Sequence, residues 1–172
     1  MNDTITIATI ATPLGSISAA SSPRGLSYLG FGEQAAVLAA AWARRWRPEA
    51  RLLYTQAAPP DLAAQLAAYF AGELHEWSLP LDLRGTPFQL QAWQALRQIP
   101  YGTTRAYSEH AVAIGHPRAV RAVGTANGAN PISIIVPCHR LIGKGGALVK
   151  YGGGLENKRR LLELEGALMP DA

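Results

Sequence analysis

Polar and apolar residues alternate through "TITIATI" at 4 to 10, the period-two pattern of a half-buried strand, and "PLG" at 13 to 15 predicts a turn into a second short strand. "GLSYLGF" at 25 to 31 reads as a third strand. The period then lengthens. "EQAAVLAAAWARRW", residues 33 to 46, places Val37, Leu38, Ala41, Trp42 and Trp46 along one expected helical face. "PDLAAQLAAYFAGEL", residues 60 to 74, predicts a second helix with Pro60 near its start and Gly72 as its stop. Residues 1 to 80 are therefore expected to form an N-terminal α/β domain, a small sheet with flanking helices. "SLPLDLRGTP" interrupts both periodicities with two prolines and a glycine, and residues 81 to 85 are expected to be the linker.

The pattern changes at Thr86, where an expected mainly α C-terminal domain, residues 86 to 172, begins. Thr86 is a candidate N-cap with Pro87 at the first helical position, and Phe88, Ala92, Trp93, Leu96 and Ile99 form an apolar stripe that "IPYG" ends. "TTRAYSEHAVAIG" and "HPRAVRAVGTANGAN" predict two short helices broken by Gly-His-Pro, the spacing of a helix-turn-helix. The second has almost no bulk along Ala119, Val120, Ala122, Val123, Gly124 and Ala126, so its backbone can come close to a partner, with Arg118 and Arg121 expected on one face. A plain core helix fits the same pattern. "ISIIV" at 132 to 136 is a β-branched run suited to a buried strand, followed by Pro137, Cys138, a Gly-rich loop and a last helix, "LENKRRLLELEG".

Composition narrows the classes. With 172 residues, 48% of them hydrophobic and 16% charged, the chain can bury one substantial core or two small ones. No run approaches the roughly 18 apolar residues of a membrane span, and the start lacks the basic and apolar regions of a signal peptide, so a cytoplasmic protein is expected. Charge divides unevenly at Arg84: six Lys+Arg against seven Asp+Glu before it, ten against five after it, a balance of +5 in the second half. That asymmetry suits a polyanionic partner such as nucleic acid, as well as a merely solvated basic face.

Cys138 is the single cysteine, so it is either inert filler or a lone nucleophile. His139 offers a base and Arg140 a cation, surroundings that move a thiol of intrinsic pKa about 8.5 toward thiolate. Adjacent residues of a strand point to opposite faces, so Cys138 and His139 meet only if the chain turns at Pro137 or a water bridges them. Glu165 falls on or beside the apolar stripe of the last helix, where a carboxylate needs a partner; a neutral histidine suits it, because the carboxylate fixes the tautomer and leaves the other ring nitrogen as base. One cysteine and four scattered histidines show no metal-ligand spacing, and nothing else points to acyl chemistry.

"PCHR", preceded by "NPISIIV" and followed by "YGGG" and "LLELEG", closely resembles the O6-alkylguanine-DNA alkyltransferase family of direct-reversal repair proteins. "GTPFQLQAWQALRQIPYGTTRAYSEHA" and "RAVGTANGANP" extend the likeness over essentially all of residues 85 to 166, while "TPLG" and "YFAGEL" resemble the first domain of bacterial members. The resemblance implies an RNase H-like first domain and irreversible, stoichiometric transfer of the alkyl group from O6-alkylguanine, and O4-alkylthymine, in double-stranded DNA. It implies that Cys138 accepts the alkyl group, that His139 is its base through a water and that Glu165 orients the imidazole. Arg121 is the implied finger that fills the space of the flipped nucleotide, with Arg118, Ala119 and Ala122 also at the DNA. Tyr107 is implied to press on the flipped nucleotide's phosphate and to donate a proton toward guanine N3. Asn130, Leu141, Tyr151 and Gly152 belong to the implied pocket. No cofactor, metal or membrane is expected; a monomer is, with cooperativity on DNA left open. Val149 and Lys150 depart from the family's usual Thr-Gly or Gly-Asn, and a lysine in a glycine's left-handed conformation would be strained by roughly 1–2 kcal/mol. A non-catalytic lesion-sensing module is the alternative, but such proteins lack this cysteine, and a base-reading transcription factor would need side chains that the alanine-rich helix lacks.

Overall fold

A computed structural model describes residues 3–170, and the chain divides into two compact units between Arg84 and Gly85. The outermost residues of the expected domains, 1–2 and 171–172, lie outside the described residues. In the first unit β1 (Thr4–Thr12), β2 (Gly15–Ser22) and β3 (Gly25–Phe31) form an antiparallel meander. Helix α1 (Ala35–Trp46) crosses back to β4 (Arg51–Thr55), which lies parallel to β1 at the edge of a sheet ordered β3-β2-β1-β4. Helix α2 (Pro60–Phe70) follows, with Pro60 in its first turn and Gly72 just beyond it at φ 74°.

The face of α1 differs from expectation. Val37 and Leu38 are 63% and 53% exposed and Ala41 is exposed, whereas Ala35, Ala39 and Ala43, four apart, are buried, Ala39 and Ala43 in one cluster with Ile5, Ile7 and Ala20, flanked by Trp42. An alanine stripe lets the helix lie close to the sheet, which leaves Val37 and Leu38 on the outer side and Trp42 at the flank. Strand β4 had no signal, since "RLLYT" does not alternate and its side chains are largely exposed. Residues 80–82, within the stretch expected to link the halves, run along β3: Leu26 N–H donates to Pro80 O (2.9 Å) and Asp82 N–H to Leu26 O (2.8 Å). The buried Asp82 carboxylate also accepts from Ser22, Arg47 and Arg84.

The second unit contains helices α3 (Pro87–Leu96), α4 (Tyr107–Ala113), α5 (Val120–Gly128) and α6 (Leu155–Leu164), with a two-residue parallel ladder between β5 (Arg105–Ala106) and β6 (Leu141–Ile142). Thr86 and Gln89 form a reciprocal capping box at the start of α3. Along its stripe Ala92, Trp93, Leu96 and Ile99 are buried, while Phe88 is only half-buried.

Both halves of the helix-turn-helix are shorter than expected. Ala106 is extended (φ −70°, ψ 149°) and its N–H donates to Glu109 (2.8 Å), so α4 starts at Tyr107. Pro117 and a turn closed by Ala119 N–H to His116 O (2.9 Å) delay α5 until Val120. Arg118 thus precedes the helix, and the expected three-residue helical spacing with Arg121 does not apply. Buried His110 pins α4 to α3 through Nε2–H to Ala92 O (3.0 Å), and Trp93 Nε1–H donates to Ala126 O (2.8 Å) to pin α5.

"ISIIV" is not a strand. Asn130 coils it: Nδ2 donates to Val136 O (2.8 Å) and Oδ1 accepts from Ile132 N–H (3.0 Å), while Val136 N–H returns to Ile132 O (3.0 Å). Local side-chain bonds of this kind offer the backbone an alternative to a ladder. The coil brings Ile134 to φ 71°, the one left-handed non-glycine among the described residues, held there by complete burial of its side chain. Lys150 is not left-handed, so the strain expected at that position is absent.

Candidate active site

The chain turns at Pro137 into a 3-10 turn, Cys138–Arg140, placing three consecutive buried side chains in one wall of the second unit. His139 Nε2 donates to Glu165 Oε1 (2.8 Å); Arg140 Nε donates to Oε2 (2.8 Å) and Nη2 to Oε1 (2.9 Å). Arg140 Nη1 donates to Ile99 O (2.6 Å). The "IPYG" turn completes the wall. Tyr101 bonds Leu164 O (3.1 Å) and lies under the Arg140 guanidinium, and a Cβ on Gly102 (φ 76°) would come within 2.9 Å of Glu165 O. Glycine there is what lets the turn press on the end of α6.

Electrostatics set the protonation states. Burial works against ionising Glu165, but the hydrogen bond from His139 and the bonds and charge of Arg140 outweigh it and hold the carboxyl to about 2. Burial pushes His139 below its ordinary value despite the Glu165 carboxylate, with Arg140 and Lys158 acting the same way as burial, so the ring is neutral at pH 7. Since an ionised carboxylate only accepts, the proton sits on Nε2, and buried Nδ1, which has no hydrogen-bond partner among the described residues, keeps its lone pair.

The thiol itself does not follow the expectation. Burial pushes Cys138 up to about 11, tempered first by the Asn130 side chain and then by the Lys158 charge. Arg140, expected to favour thiolate, is engaged by Glu165 and Ile99 instead. The resting sulfur is a protonated thiol that needs a base.

Lys158 was not singled out in the sequence. It is fully buried in α6, and its ammonium donates to Leu141 O (2.6 Å) and Val149 O (2.9 Å), joining the cysteine turn to the Gly-rich loop. Burial lowers it to about 8. Its signal was present, because residue 158 lies three and four before Leu161 and Leu162, on the stripe that exposed the Glu165 anomaly. Asn127 was also passed over. Four residues after Val123 on the buried face of α5, it donates through Nδ2 to Tyr107 Oη (3.1 Å) and Cys138 O (3.3 Å).

The other expected site residues divide into two sets. Half-buried Tyr107, at the start of α4, and Tyr151, whose ring centroid is 6.3 Å from that of His139, lie close enough to Cys138 for a thiolate there to raise both phenols, after burial, which is the larger cause. Asn130 supports the coil before Cys138, while Leu141 is wholly buried in the β5–β6 ladder and Gly152 is exposed. Arg118, Arg121 and Ala122 are exposed and Ala119 half-buried around the start of α5. The same helix packs inward through Val123, Ala126 and Asn127, and a Cβ at Gly124 or Gly128 would meet nothing within 4 Å. The protein's own packing therefore does not require those glycines. Among the described residues no cluster of His, Cys, Asp and Glu could hold a metal, and no helix is long and apolar enough to cross a membrane.

Residues 87–167 match the 6-O-methylguanine DNA methyltransferase DNA-binding domain, and residues 5–83 match the ribonuclease-like domain of the same family. A methylated-DNA–protein-cysteine methyltransferase of Methanosarcina barkeri is 46% identical over 158 residues, 91% of this chain and 94% of that protein. The Mycobacterium tuberculosis protein of that name is 63% identical over 106 residues, a match spanning 62% of this chain and 64% of that protein's length, just under two thirds. The crystal structure of Mycobacterium tuberculosis OGT in complex with DNA superimposes with a TM-score of 0.82 at 47% identity, over 94% of this chain and 93% of that one. On both its halves and nearly its whole length, the chain belongs to the 6-O-methylguanine DNA methyltransferase family.

Proposed function

We propose that this protein repairs DNA by moving the alkyl group of O6-alkylguanine onto Cys138, once per molecule. The observation that carries the reading is the buried thiol followed directly by a neutral histidine whose Nε2 is committed to Glu165 and whose Nδ1, without a partner among the described residues, keeps the lone pair of a base. The thiol proton passes to Nδ1 through a water, and the sulfur electron pair attacks the alkyl carbon. The carbon–O6 bond breaks with its electrons entering the guanine ring, and Tyr107 supplies a proton at N3. The proton taken up by His139 then restores Tyr107, so the alkyl group ends on sulfur and the thiol proton on guanine. A thioether is not undone by thiol exchange, so the protein is consumed and needs no second cysteine.

The target atom is out of reach inside a duplex, which requires extrusion of the base. Exposed Arg121 beside Ala122, on a helix whose outer glycines face open space, suits close approach to a minor groove with one side chain filling the gap. The +5 balance of the second half supplies phosphate attraction independent of sequence. Tyr151 and Gly152 would line the pocket, and the protein would act as a cytoplasmic monomer without a cofactor.

The test is intact-protein and peptide mass spectrometry after incubation with duplex DNA carrying one O6-methylguanine. One methyl adduct per chain on Cys138, absent from Cys138→Ala while DNA binding persists, is expected. Turnover beyond one equivalent, or an adduct elsewhere, would overturn the assignment.

A further inference from the structure

Asn127 has no part in the reaction as described above, yet it is buried and its amide touches both the backbone of the expected nucleophile and the phenol of Tyr107. Its orientation follows from chemistry. The Cys138 carbonyl can only accept, so the atom facing it must be the amide nitrogen, not the oxygen. That nitrogen has two protons, and the second points to Tyr107 Oη at 3.1 Å. The phenol oxygen is therefore an acceptor in this contact, and its own single proton is left to be donated elsewhere. The arrangement leaves Oδ1 of Asn127 buried without a partner among the described residues. Reversing the amide would set oxygen against the Cys138 carbonyl oxygen, so the Cys138 contact locks the orientation that the Tyr107 contact uses.

We propose that Asn127 is a positioning residue that makes Tyr107 an obligatory hydrogen-bond donor toward the flipped base, and thereby selects a substrate carrying a ring-nitrogen acceptor at guanine N3. The inference rests on the alkyl-transfer reading above and deepens it. With Nδ2–H on its oxygen, Tyr107 gives up proton density more readily as the C–O6 bond breaks, because the amide stabilises the charge left on the phenol oxygen; Asn127 acts on that oxygen in the direction that favours ionisation, against burial, the larger influence. Because Asn127 also holds the Cys138 carbonyl, one side chain fixes the relative placement of nucleophile and proton donor across 31 residues of sequence, from Tyr107 to Cys138.

The test is a double-mutant cycle on the full chain, reading the single-turnover rate on duplex DNA with O6-methylguanine and with O6-methyl-3-deazaguanine, which lacks the N3 acceptor. Asn127→Leu should slow reaction with O6-methylguanine about 10-fold in the wild-type background and less than about 2-fold in the Tyr107→Phe background. On the 3-deaza substrate the wild type and Asn127→Leu should react at the same reduced rate. Asn127→Ala, which adds no bulk, carries the same comparison if the leucine variant does not fold, with binding of undamaged duplex as the check on folding. Additive losses in the cycle, or an equal Asn127 effect on both substrates, overturn the proposal in favour of a purely structural side chain. Failure of the wild type to form an adduct would instead overturn the alkyl-transfer reading itself.

Discussion

Replacing Glu165 by glutamine probes the centre of the site with almost no change in volume. The carboxylate accepts three hydrogen bonds of 2.8–2.9 Å from His139 and Arg140, and both partners are buried. An amide offers a single acceptor oxygen, so in either orientation Arg140 loses one of its two bonds to this side chain and the buried guanidinium loses its counter-charge, while the bond to the Ile99 carbonyl stays. Breaking one side of a buried pair costs about 3–5 kcal/mol. Proton linkage gives a second, independent magnitude: a carboxyl lowered from 4.5 to about 2 in the folded state is worth about 3 kcal/mol at neutral pH. The sign is that of a depressed acid. Between pH 4.5 and 2 the unfolded chain binds the proton more tightly, so this stabilisation is complete above 4.5 and is lost as pH falls toward 2. Urea unfolding followed through Trp93, which is buried in the second unit, should place Glu165→Gln about 3–5 kcal/mol below wild type at pH 7. The gap should close by about 1.4 kcal/mol per pH unit below 4.5, because the protonated wild-type carboxyl resembles the amide. Alkyl transfer should slow as well: where the amide nitrogen faces His139, the ring proton moves to Nδ1 and the base is lost. A gap under 1 kcal/mol at pH 7, or one independent of pH, would show that the ionised Glu165 carboxylate does not hold this site together.

Arg121→Ala and Tyr107→Phe should slow repair in duplex DNA more than reaction with a free alkylated guanine base, which needs no extrusion, and equal losses on the two substrates for Arg121→Ala would remove its role as the finger. Lys158→Met leaves the carbonyls of Leu141 and Val149 without their donor, at about 1–3 kcal/mol each, and removes the charge that tempers Cys138. The expected result is a less stable protein whose thiol reacts more slowly with iodoacetamide below about pH 8, where the wild-type Lys158 is still charged, and an unchanged rate there would exclude the charge effect. His110 and His139 are both lowered, chiefly by burial, so the unfolded chain binds protons first and stability should decline as pH drops below about 6.5, by up to about 1.4 kcal/mol per unit for each. Denaturation at pH 5 and 7.5 measures the decline, and His110→Gln should remove its share.

Much of this was legible along the chain because it depends on local periodicity or local chemistry. The meander at 4–31, the Thr86 cap and the apolar stripe of α3 arise from neighbours within a few residues, and the anomaly of Glu165 among leucines pointed to a carboxylate that needs a partner such as a neutral histidine. Where the reading failed, long-range packing outweighed local preference. The apparent face of α1 assigned the larger residues to the core, but close approach to the sheet favoured alanine. "ISIIV" has every local mark of a strand, yet Asn130 bonds to backbone at 132 and 136 and coils it, which also turns Cys138 and His139 into one wall. Arg140, two residues after Cys138, suggested a thiolate, a conclusion that nearness in sequence cannot support, since only the fold brings Glu165 and the Ile99 carbonyl to the guanidinium and leaves Lys158 as the cation that eases the thiol's ionisation. Residue types and their spacing determined which chemistry was available, whereas the direction of each proton and charge was decided by partners 25 to 41 residues away, because hydrogen bonds and Coulomb interactions act through space and not along the chain.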